Sequence, residues 1–248
     1  MFAKTIRTSI FLLAFIALTV SGCSRQEKEK VVIKGSTTVL PIAQKAQEAF
    51  LATHENITIS LQGTGSGDGI KSIIEGTTDI ANASRDMKDK EIESAKEAGR
   101  EIESITVAHD ILVPVVHPTN PVSEITIEQL NAMYKGEITN WSELGGKDME
   151  IVLISRDTSS GTFEVWEELV MHGENVSEEA LLQASNGAVF NAVSQNEKAI
   201  GYIGIGFISD SVKVLPVNGV APRMDNLKEY PISRPLYMFV NENNLKPA

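Results

Sequence analysis

Short runs rich in β-branched residues alternate with segments of helical periodicity along most of this chain, and this alternation limits the possible folds more than any other feature. Between the β-rich runs, apolar residues recur at intervals of three and four, which is typical of helices with one apolar face. Such a pattern predicts an α/β protein. The β-rich runs, which we predict to be strands, are 31–33, 57–61, 105–107, 111–116, 151–154, 200–205, 212–215 and 236–240.

Three of the predicted helices follow segments that are rich in glycine and hydroxyl residues. These segments are "KGSTTVLP" at 34–41, "QGTGSGDGIKS" at 62–72 and "SRDTSSGT" at 155–162. The residues that share a helix face after each segment are, in order, Ile42, Ala46, Ala49 and Phe50; Ile70, Ile73 and Ile74; and Phe163, Trp166 and Val170.

A strand followed by such a segment and a helix can form a binding site for an anion. The first N–H groups of a helix lack partners within it and carry partial positive charge, so that a helix start can hold an oxyanion. Glycine allows close approach of the backbone, and Ser and Thr hydroxyls add donors. The three segments together predict an anion cage, although each alone is also explained as an ordinary helix cap.

The third segment contains the residue best suited to an oxyanion. Arg156 has a planar, permanently charged guanidinium that can bind an oxyanion through two hydrogen bonds. The alternative for Arg156 is a surface ion pair with Asp157 or a nearby glutamate.

The first residues of the chain predict export. Lys4 and Arg7 precede an apolar run at 10–20 that is too short to cross a bilayer, which indicates a secretory signal peptide at 1–22. The run ends in "VSGC", which resembles a lipobox and predicts lipidation of Cys23, the only cysteine of the chain. Residues 23–30 are polar and predict a flexible tether.

The net charge of the chain limits the kinds of molecule that it is expected to bind. The formal net charge is −11 at pH 7, and removal of residues 1–22, with Lys4 and Arg7, makes it two units more negative. A basic surface for nucleic acid is therefore not expected. An anion would have to be held by local, oriented donors against an unfavourable overall field.

Motifs for other chemistries do not fit. In "GDGIKS" Ile70 separates Gly69 from Lys71, unlike a P-loop, and "GTGSGDG" lacks dinucleotide-fingerprint spacing. There is no G-x-S-x-G elbow, and the four histidines lack metal-ligand spacing. The carboxylates form no evident catalytic pair. We therefore expect no catalytic residues, no metal and no cofactor.

Long motifs, in a fixed order, resemble one protein family. They are "KGSTTVLPIAQKAQEAF", "GTGSGDGIKSIIEGTTDIANASRDM", "NPVSEITIEQLNAMYKGEITNWSELGG", "SRDTSSGTFEVW" and "KAIGYIGIGF", and the likeness covers nearly all of residues 31–247. The family comprises the phosphate-binding lipoproteins and periplasmic proteins that serve high-affinity ABC-type phosphate importers.

The resemblance implies a type II periplasmic-binding-protein fold, in which two α/β domains joined by a hinge close around one dehydrated phosphate. Domain I would comprise residues 31–111 and 226–248, and domain II residues 112–225. The implied phosphate-binding residues are Ser36, Thr37, Thr38, Ser66, Ser84, Arg156, Ser160, Gly161 and Thr162.

One position departs from the family pattern. Better-known members have an aspartate, which accepts the proton of hydrogen phosphate, where this chain has Ser84. Either Ser84 with Arg85 supplies donors here, or Asp86 reaches in as the acceptor, and Gly67 is a further candidate ligand. The chain also ends at Ala248, where relatives usually continue into another helix.

The function that we expect is capture of inorganic phosphate by a monomeric lipoprotein, anchored through Cys23 to the cell membrane and facing the periplasm or the exterior. It would deliver phosphate to the membrane permease of an ABC-type importer. The alternatives are a receptor for another tetrahedral oxyanion, such as sulfate, molybdate or vanadate, a secreted phosphatase or serine hydrolase that uses Ser160, and a sensory or adhesive lipoprotein without transport.

Overall fold

The computed structural model describes residues 29–242, within which there are six α-helices and nine β-strands. The strands are β1 (Glu29–Gly35), β2 (Ile57–Gly63), β3 (Ile80–Ala83), β4 (Ile102–Val116), β5 (Val152–Arg156), β6 (Leu181–Gln183), β7 (Ala199–Gly204), β8 (Lys213–Val214) and β9 (Ser233–Asn241). The helices are α1 (Leu40–Leu51), α2 (Ser66–Glu75), α3 (Asp89–Glu97), α4 (Ile127–Lys135), α5 (Gly161–Leu169) and α6 (Asn186–Ser194).

The strands form one sheet in the order β2-β1-β3-β9-β4-β7-β5-β6, with β8 paired to β4. The two halves of this sheet repeat one arrangement. In the first half β2, β1 and β3 are parallel and β9 is antiparallel to β3. In the second half β6, β5 and β7 are parallel and β4 is antiparallel to β7. The long strand β4 joins the halves, because it pairs with β9 up to Ile111 and with β7 from Leu112 onward.

The described residues pack around two separate hydrophobic clusters. The smaller one lies in the first half of the sheet and consists of Ile70, Ile73, Ala81, Ala83 and Phe239. The larger one lies in the second half, and its largest buried side chains are Trp141, Trp166, Tyr134 and Tyr202. The rings of Trp166 and Tyr202 are stacked with their centroids 4.1 Å apart. Each half of the sheet therefore has its own core.

Most of the predicted elements are present. The runs at 105–107 and 111–116 belong to one strand, β4, while β3 and β6 were not predicted. The sequence of β3, "IANA", is short and mostly small or polar, and β6 has three residues, so neither provides a clear alternating pattern. The predicted signal peptide, Cys23 and most of the predicted tether lie outside the described residues.

The apolar face predicted for α1 is not a buried face. Ile42, Ala46, Ala49 and Phe50 are all exposed, and Ala43 is the buried residue of this helix. The Phe50 ring stacks on the imidazole of His54, with 4.0 Å between centroids. The faces predicted for α2 and α5 do contribute buried residues, Ile70 and Ile73 in one helix and Trp166 in the other. The apolar face of α1 is open because no other part of residues 29–242 covers it.

None of the helices between residues 29 and 242 combines the length and the apolar character needed to cross a membrane.

Candidate functional site

The three hydroxyl- and glycine-rich segments connect strands to helices as predicted. They join β1 to α1, β2 to α2 and β5 to α5. Parallel strands end at the same edge of a sheet, where open α/β folds bind their ligands. The chain turns sharply into α2 at Gly65, whose φ of 112° is accessible to glycine but strained for residues with a Cβ.

Residues of the first and third segments meet although they are far apart in the sequence. The hydroxyl oxygens of Thr38 and Thr162 lie 3.1 Å apart. Within the first segment, the Thr38 backbone N–H donates to the Ser36 hydroxyl at 3.1 Å. Thr37 also lies in this cleft, and all four side chains are buried. The structure therefore brings together two segments from opposite halves of the sheet.

The second and third segments meet just as closely. A Cβ placed on Gly161 would lie 2.5 Å from the Ser66 Oγ and 2.9 Å from the Ser84 Oγ. Ser66 and Ser84 are themselves linked, because the Ser84 backbone N–H donates to the Ser66 hydroxyl at 3.0 Å. Position 161 therefore requires glycine at this contact.

Ser160 caps α5 at its first turn. Its hydroxyl oxygen accepts from the backbone N–H groups of Thr162 at 3.2 Å and Phe163 at 3.3 Å. Because the oxygen accepts both bonds, the hydroxyl proton is available for an acceptor in the cleft. The same residue thus acts as a helix cap and as a candidate donor.

Arg156 is buried, with 1% of its surface exposed, so it does not form a surface ion pair, although its Nη2 lies 3.9 Å from Asp157 Oδ2. Its Nε donates to the Gln183 carbonyl and its Nη2 to the Ala184 carbonyl, both at 2.9 Å. Its Nη1 points to the Thr37 hydroxyl oxygen at 3.5 Å. Two backbone carbonyls thus fix the guanidinium with one edge facing the cleft.

Arg85 lies at the rim and is occupied by carboxylates. Its guanidinium makes two hydrogen bonds to Glu91, at 2.7 and 2.8 Å, and its Nε lies 2.8 Å from a Glu164 carboxylate oxygen. Burial by itself would lower the pKa of Arg85, but the hydrogen bond to Glu91 and the charges of Glu164 and Glu91 raise it. Because Glu164 belongs to α5, this ion-pair group connects the loop after β3 with the helix that follows the third segment.

Asp86 and Gly67, the two other candidate ligands, also have other partners. Asp86 is exposed, and its carboxylate accepts from the Met87 backbone N–H at 2.8 Å. The Gly67 backbone N–H donates to the Ser159 carbonyl at 3.0 Å. The structure therefore brings neither Arg85 nor Asp86 to Ser84, and Gly67 joins the second segment to the third.

The structure places three further polar residues in the cleft that were not predicted. Asn186 begins α6 and donates to the hydroxyls of Thr37 and Thr38, at 3.1 and 2.9 Å. Arg234 donates to Thr38 at 3.3 Å and to the Asp110 carboxylate at 2.9 and 3.1 Å. The sequence signal for Asn186 was weak, since "LLQASNG" has a hydroxyl residue and a glycine at the start of α6 but no preceding run of β-branched residues.

Positive charge is concentrated in this acidic protein at the cleft. The pKa of Arg156 is lowered, mainly because burial disfavours its charged form. The charges of Asp157 and Tyr202 oppose this shift, and the charge of Arg234 adds to it. Asp110 is the buried carboxylate beside them, and Asp157 is one-third exposed. Two buried guanidiniums near one buried carboxylate leave the cleft suited to an anion. Among residues 29–242, no group of three His, Cys, Asp or Glu side chains could hold a metal ion.

Comparison with known proteins identifies the family. A family model described as the PBP superfamily domain matches residues 23–248. The phosphate-binding protein PstS of Staphylococcus saprophyticus is 33% identical over 225 residues, which cover 86% of this chain and 70% of that protein. The chain belongs to the PstS family of phosphate-binding proteins. PstS of Staphylococcus aureus (strain USA300) is 32% identical over 225 residues, covering 86% of this chain and 68% of that protein.

Solved structures of PstS-type proteins have the same fold. A protein from Clostridium perfringens, described as a phosphate ABC transporter substrate-binding protein and solved with bound phosphate, superimposes with a TM-score of 0.81; it is 36% identical over 88% of each chain. An ABC-type phosphate transport receptor from Vibrio cholerae gives a TM-score of 0.70 at 34% identity, covering 87% of this chain and 88% of the other. The predicted α/β periplasmic-binding-protein fold is thereby confirmed.

Proposed function

We propose that this chain captures inorganic phosphate outside the cytoplasmic membrane and delivers it to the permease of an ABC-type phosphate importer. One observation carries the proposal: three strand-to-helix segments and Arg156 present buried donors to a common cleft. The relatives named above are phosphate-binding proteins, and the Clostridium perfringens structure contains phosphate. These names support phosphate as the anion.

The proposed ligands act as hydrogen-bond donors on a tetrahedral anion. Arg156 supplies the positive charge, with a guanidinium already held by two carbonyls, so that little side-chain entropy is lost on binding. The backbone N–H groups of Gly161 in α5 and Ser66 in α2 add donors at the favourable ends of the helix dipoles, whereas the N–H groups of Thr162 and Gly67 already have protein acceptors. The remaining proposed ligands are the hydroxyls of Ser36, Thr37, Thr38, Ser66, Ser84, Ser160 and Thr162.

We further propose that binding closes two domains, residues 31–111 with 226–248 and residues 112–225. The two separate hydrophobic clusters support a division into two domains, although Ile111, Tyr230 and Ile232 of the first domain pack in the larger cluster. The change of partner of β4 between Ile111 and Leu112 also supports the division. An anion that contacts Thr38 on one side and Thr162 on the other would stabilise the closed state through both contacts. The Arg85–Glu164 ion pair would add to that state at the rim.

Selectivity between phosphate and sulfate depends on acceptors in the cleft. A buried carboxylate acceptor repels an oxyanion oxygen that carries no proton, whereas donors alone discriminate poorly. At the family's aspartate position this chain has Ser84, and Asp86 is exposed and directed to the Met87 N–H. We therefore propose that phosphate is bound with weaker discrimination against sulfate than a carboxylate at position 84 would give.

The cellular setting is also a proposal. A signal peptide at 1–22 and a lipid on Cys23 would hold a monomer at the cell membrane, on its periplasmic or outer side. The motif "VSGC" and the polar residues 24–30 support this arrangement. The description of the Clostridium perfringens protein as an ABC transporter substrate-binding protein supports the permease as partner and argues for binding without catalysis.

A hydrolase that uses Ser160 is the alternative of a different class. The Ser160 hydroxyl accepts two helix N–H groups, and none of the histidines between residues 29 and 242 is hydrogen-bonded to it. A serine nucleophile needs an adjacent base, and the geometry of Ser160 is that of a cap and an anion donor. Turnover of a chromogenic phosphate ester would support the hydrolase.

The proposed function is tested by calorimetric titration of a soluble form lacking residues 1–23 with phosphate, in phosphate-free buffer, with sulfate and molybdate as competitors. We expect saturable binding of one phosphate per chain. Repeating the titration from mildly acidic to mildly alkaline pH separates the anions, because phosphate changes protonation near neutrality and sulfate does not. Tighter binding of sulfate or molybdate than of phosphate at every pH would refute phosphate as the ligand. Loss of radiolabelled phosphate uptake on deletion of the gene tests delivery to a permease.

A further inference from the structure

We propose that Asn186 and the Arg234–Asp110 pair are positioning residues of the anion cleft, which occupy the acceptor positions of the Thr37 and Thr38 hydroxyls and so direct both hydroxyl protons to the anion. This inference rests on the proposed function. It names residues beyond the predicted ligands and explains how hydroxyls, which can donate or accept, are restricted to donating.

The orientation of the Asn186 side chain is determined by its partners. The amide is fully buried, with 0% of the residue exposed, and its Oδ1 accepts from the Gly204 backbone N–H at 3.1 Å. Since a backbone N–H can only donate, the oxygen of the amide must face Gly204 and the nitrogen must face the threonines. The two protons of Nδ2 then have one acceptor each, Thr38 at 2.9 Å and Thr37 at 3.1 Å.

The bonds of Thr38 account for both of its acceptor positions. A hydroxyl oxygen carries one proton and two lone pairs. Asn186 Nδ2 donates to Thr38 Oγ1 at 2.9 Å and Arg234 Nη2 donates to it at 3.3 Å. The Thr38 proton is left for an acceptor on the cleft side, where Thr162 Oγ1 lies at 3.1 Å. Thr38 can thus donate a hydrogen bond to an oxyanion but has no lone pair free to accept one from it.

The Thr37 hydroxyl is oriented in the same way as that of Thr38, but through longer hydrogen bonds. Its oxygen faces Asn186 Nδ2 at 3.1 Å and Arg156 Nη1 at 3.5 Å. Both neighbours are obligate donors at the atoms concerned, so the hydroxyl proton of Thr37 is also directed away from them. One amide therefore orients the two adjacent hydroxyls of the first segment.

The Arg234–Asp110 pair holds the second donor to Thr38 in place. Arg234 and Asp110 are opposite each other on β9 and β4, and 4% and 3% of their surfaces are exposed. Asp110 Oδ2 accepts from Nε and Nη2 of Arg234, while its Oδ1 accepts from the Ile205 backbone N–H at 3.1 Å. Arg234 Nη1 is buried and has no hydrogen-bond partner among the described residues. A fixed guanidinium thus keeps a spare donor and its positive charge close to the cleft.

The consequence is a preference for the form of phosphate that carries no more than one proton. The charged groups around the two threonines are Arg156 on β5, Arg234 on β9, Asp110 on β4 and, partly exposed, Asp157. None of them is a histidine, so the pH dependence near neutrality comes from phosphate itself. Hydroxyls that are locked as donors favour the dianion, whereas hydroxyls free to rotate can also accept a hydrogen bond from a protonated oxygen of the monoanion.

The test uses the full-length chain in mild detergent, with calorimetric phosphate titrations from mildly acidic to mildly alkaline pH. Asn186→Leu keeps the size of the side chain and removes its donors. We expect roughly ten- to hundredfold weaker phosphate binding at alkaline pH, from the loss of two oriented hydrogen bonds, and a flatter pH profile than in the wild type. In a Thr38→Val background, the same substitution should weaken binding by a clearly smaller factor, because one of the two oriented hydroxyls is already absent. Asn191→Leu on the exposed side of α6 is the matched control and should bind as the wild type does.

The outcomes separate this inference from the proposed function. Absence of phosphate binding by the wild type would refute the function and the inference together. Wild-type affinity in Asn186→Leu would overturn the inference alone. So would a loss that leaves the pH profile unchanged and combines additively with Thr38→Val, since Asn186 would then serve only as structural support. If Asn186→Leu does not fold, Arg234→Lys is the variant to test. It keeps the positive charge but loses the forked hydrogen bonds to Thr38 and Asp110, and it should weaken phosphate binding severalfold. Unchanged phosphate affinity in Arg234→Lys would count against the inference.

Discussion

Substitution of Gly161 by alanine tests whether the second and third segments meet as closely in solution as they do in the structure. The added Cβ would lie 2.5 Å from Ser66 Oγ, 2.8 Å from Ser66 Cβ and 2.9 Å from Ser84 Oγ. Contacts below 3.0 Å do not occur between real Cβ atoms and their neighbours, so the segments must separate. Overpacking of this kind costs about 1–3 kcal/mol, which corresponds to about 5- to 150-fold weaker phosphate binding.

The stability of the protein should respond differently from its affinity. Alanine is a better helix former than glycine by up to about 1 kcal/mol, and Gly161 is the first residue of α5. If the segments separate when phosphate is absent, the midpoint of urea unfolding without phosphate should stay the same or rise. Gly187→Ala is the matched control near the start of α6, because its Cβ would meet nothing closer than Ser185 Oγ at 3.9 Å. Calorimetry that gives Gly161→Ala the phosphate affinity of the wild type would refute the close contact.

Three further predictions concern single side chains. Arg156→Ala should weaken phosphate binding by on the order of 2–5 kcal/mol, or about 30- to 5,000-fold in a calorimetric titration, because the anion loses its charged donor in a buried site. Tyr202→Phe should lower the free energy of unfolding in urea by about 1–3 kcal/mol, since the hydroxyl that accepts from the Arg156 N–H at 3.2 Å and lies 2.8 Å from Ser155 Oγ is lost. Burial by itself would raise the pKa of Glu91, but hydrogen bonds from Arg85 and from the Lys88 backbone N–H, together with the positive charges of these two residues, outweigh it and lower the pKa. The lowered pKa stabilises the folded protein above the ordinary glutamate pKa of 4.5, and this stabilisation is lost as the pH falls below it. Glu91→Gln should therefore reduce the loss of unfolding free energy on acidification by at most about 1 kcal/mol after solvent screening.

Each of these predictions has a contrary outcome, and the first two have a control variant. Arg223→Ala removes an exposed arginine paired with Asp225 and should leave phosphate affinity unchanged. If Arg156→Ala binds phosphate as tightly as Arg223→Ala does, Arg156 is not a phosphate ligand. Tyr237→Phe is the control for Tyr202, and equal unfolding free energies in the two variants would show that the Tyr202 hydroxyl contributes no stability. Parallel acid-unfolding curves for Glu91→Gln and the wild type would contradict the lowered pKa.

The sequence was most informative where chemistry is local. A helix start with glycine and hydroxyl residues can be read from consecutive positions, and the segments ahead of α1, α2 and α5 lie where they were predicted. The sequence could not provide the distances between the segments, because the contact between Thr38 and Thr162 joins residues 124 positions apart. For the same reason it could not show that Arg85 pairs with Glu91 and Glu164 rather than with an anion.

Burial was the second property that required the tertiary structure. Arg156 and Arg234 have the same side chain, and only their packing shows that each is buried beside the threonines of the first segment. The apolar residues of α1 have the spacing of a core face and are nevertheless exposed, since no described part of the chain lies over them. Periodicity gives the direction in which side chains point, and neighbouring elements decide whether they are covered.

The amino-acid order by itself determined the α/β class, the three donor-rich turns and the negative net charge, because each follows from short-range geometry or from composition. The tertiary structure alone decided which of the many donors share one cleft, and that Asn186 orients two hydroxyls there. Hydrogen bonds act over about 3 Å, and no pattern within one segment fixes which distant atoms come that close.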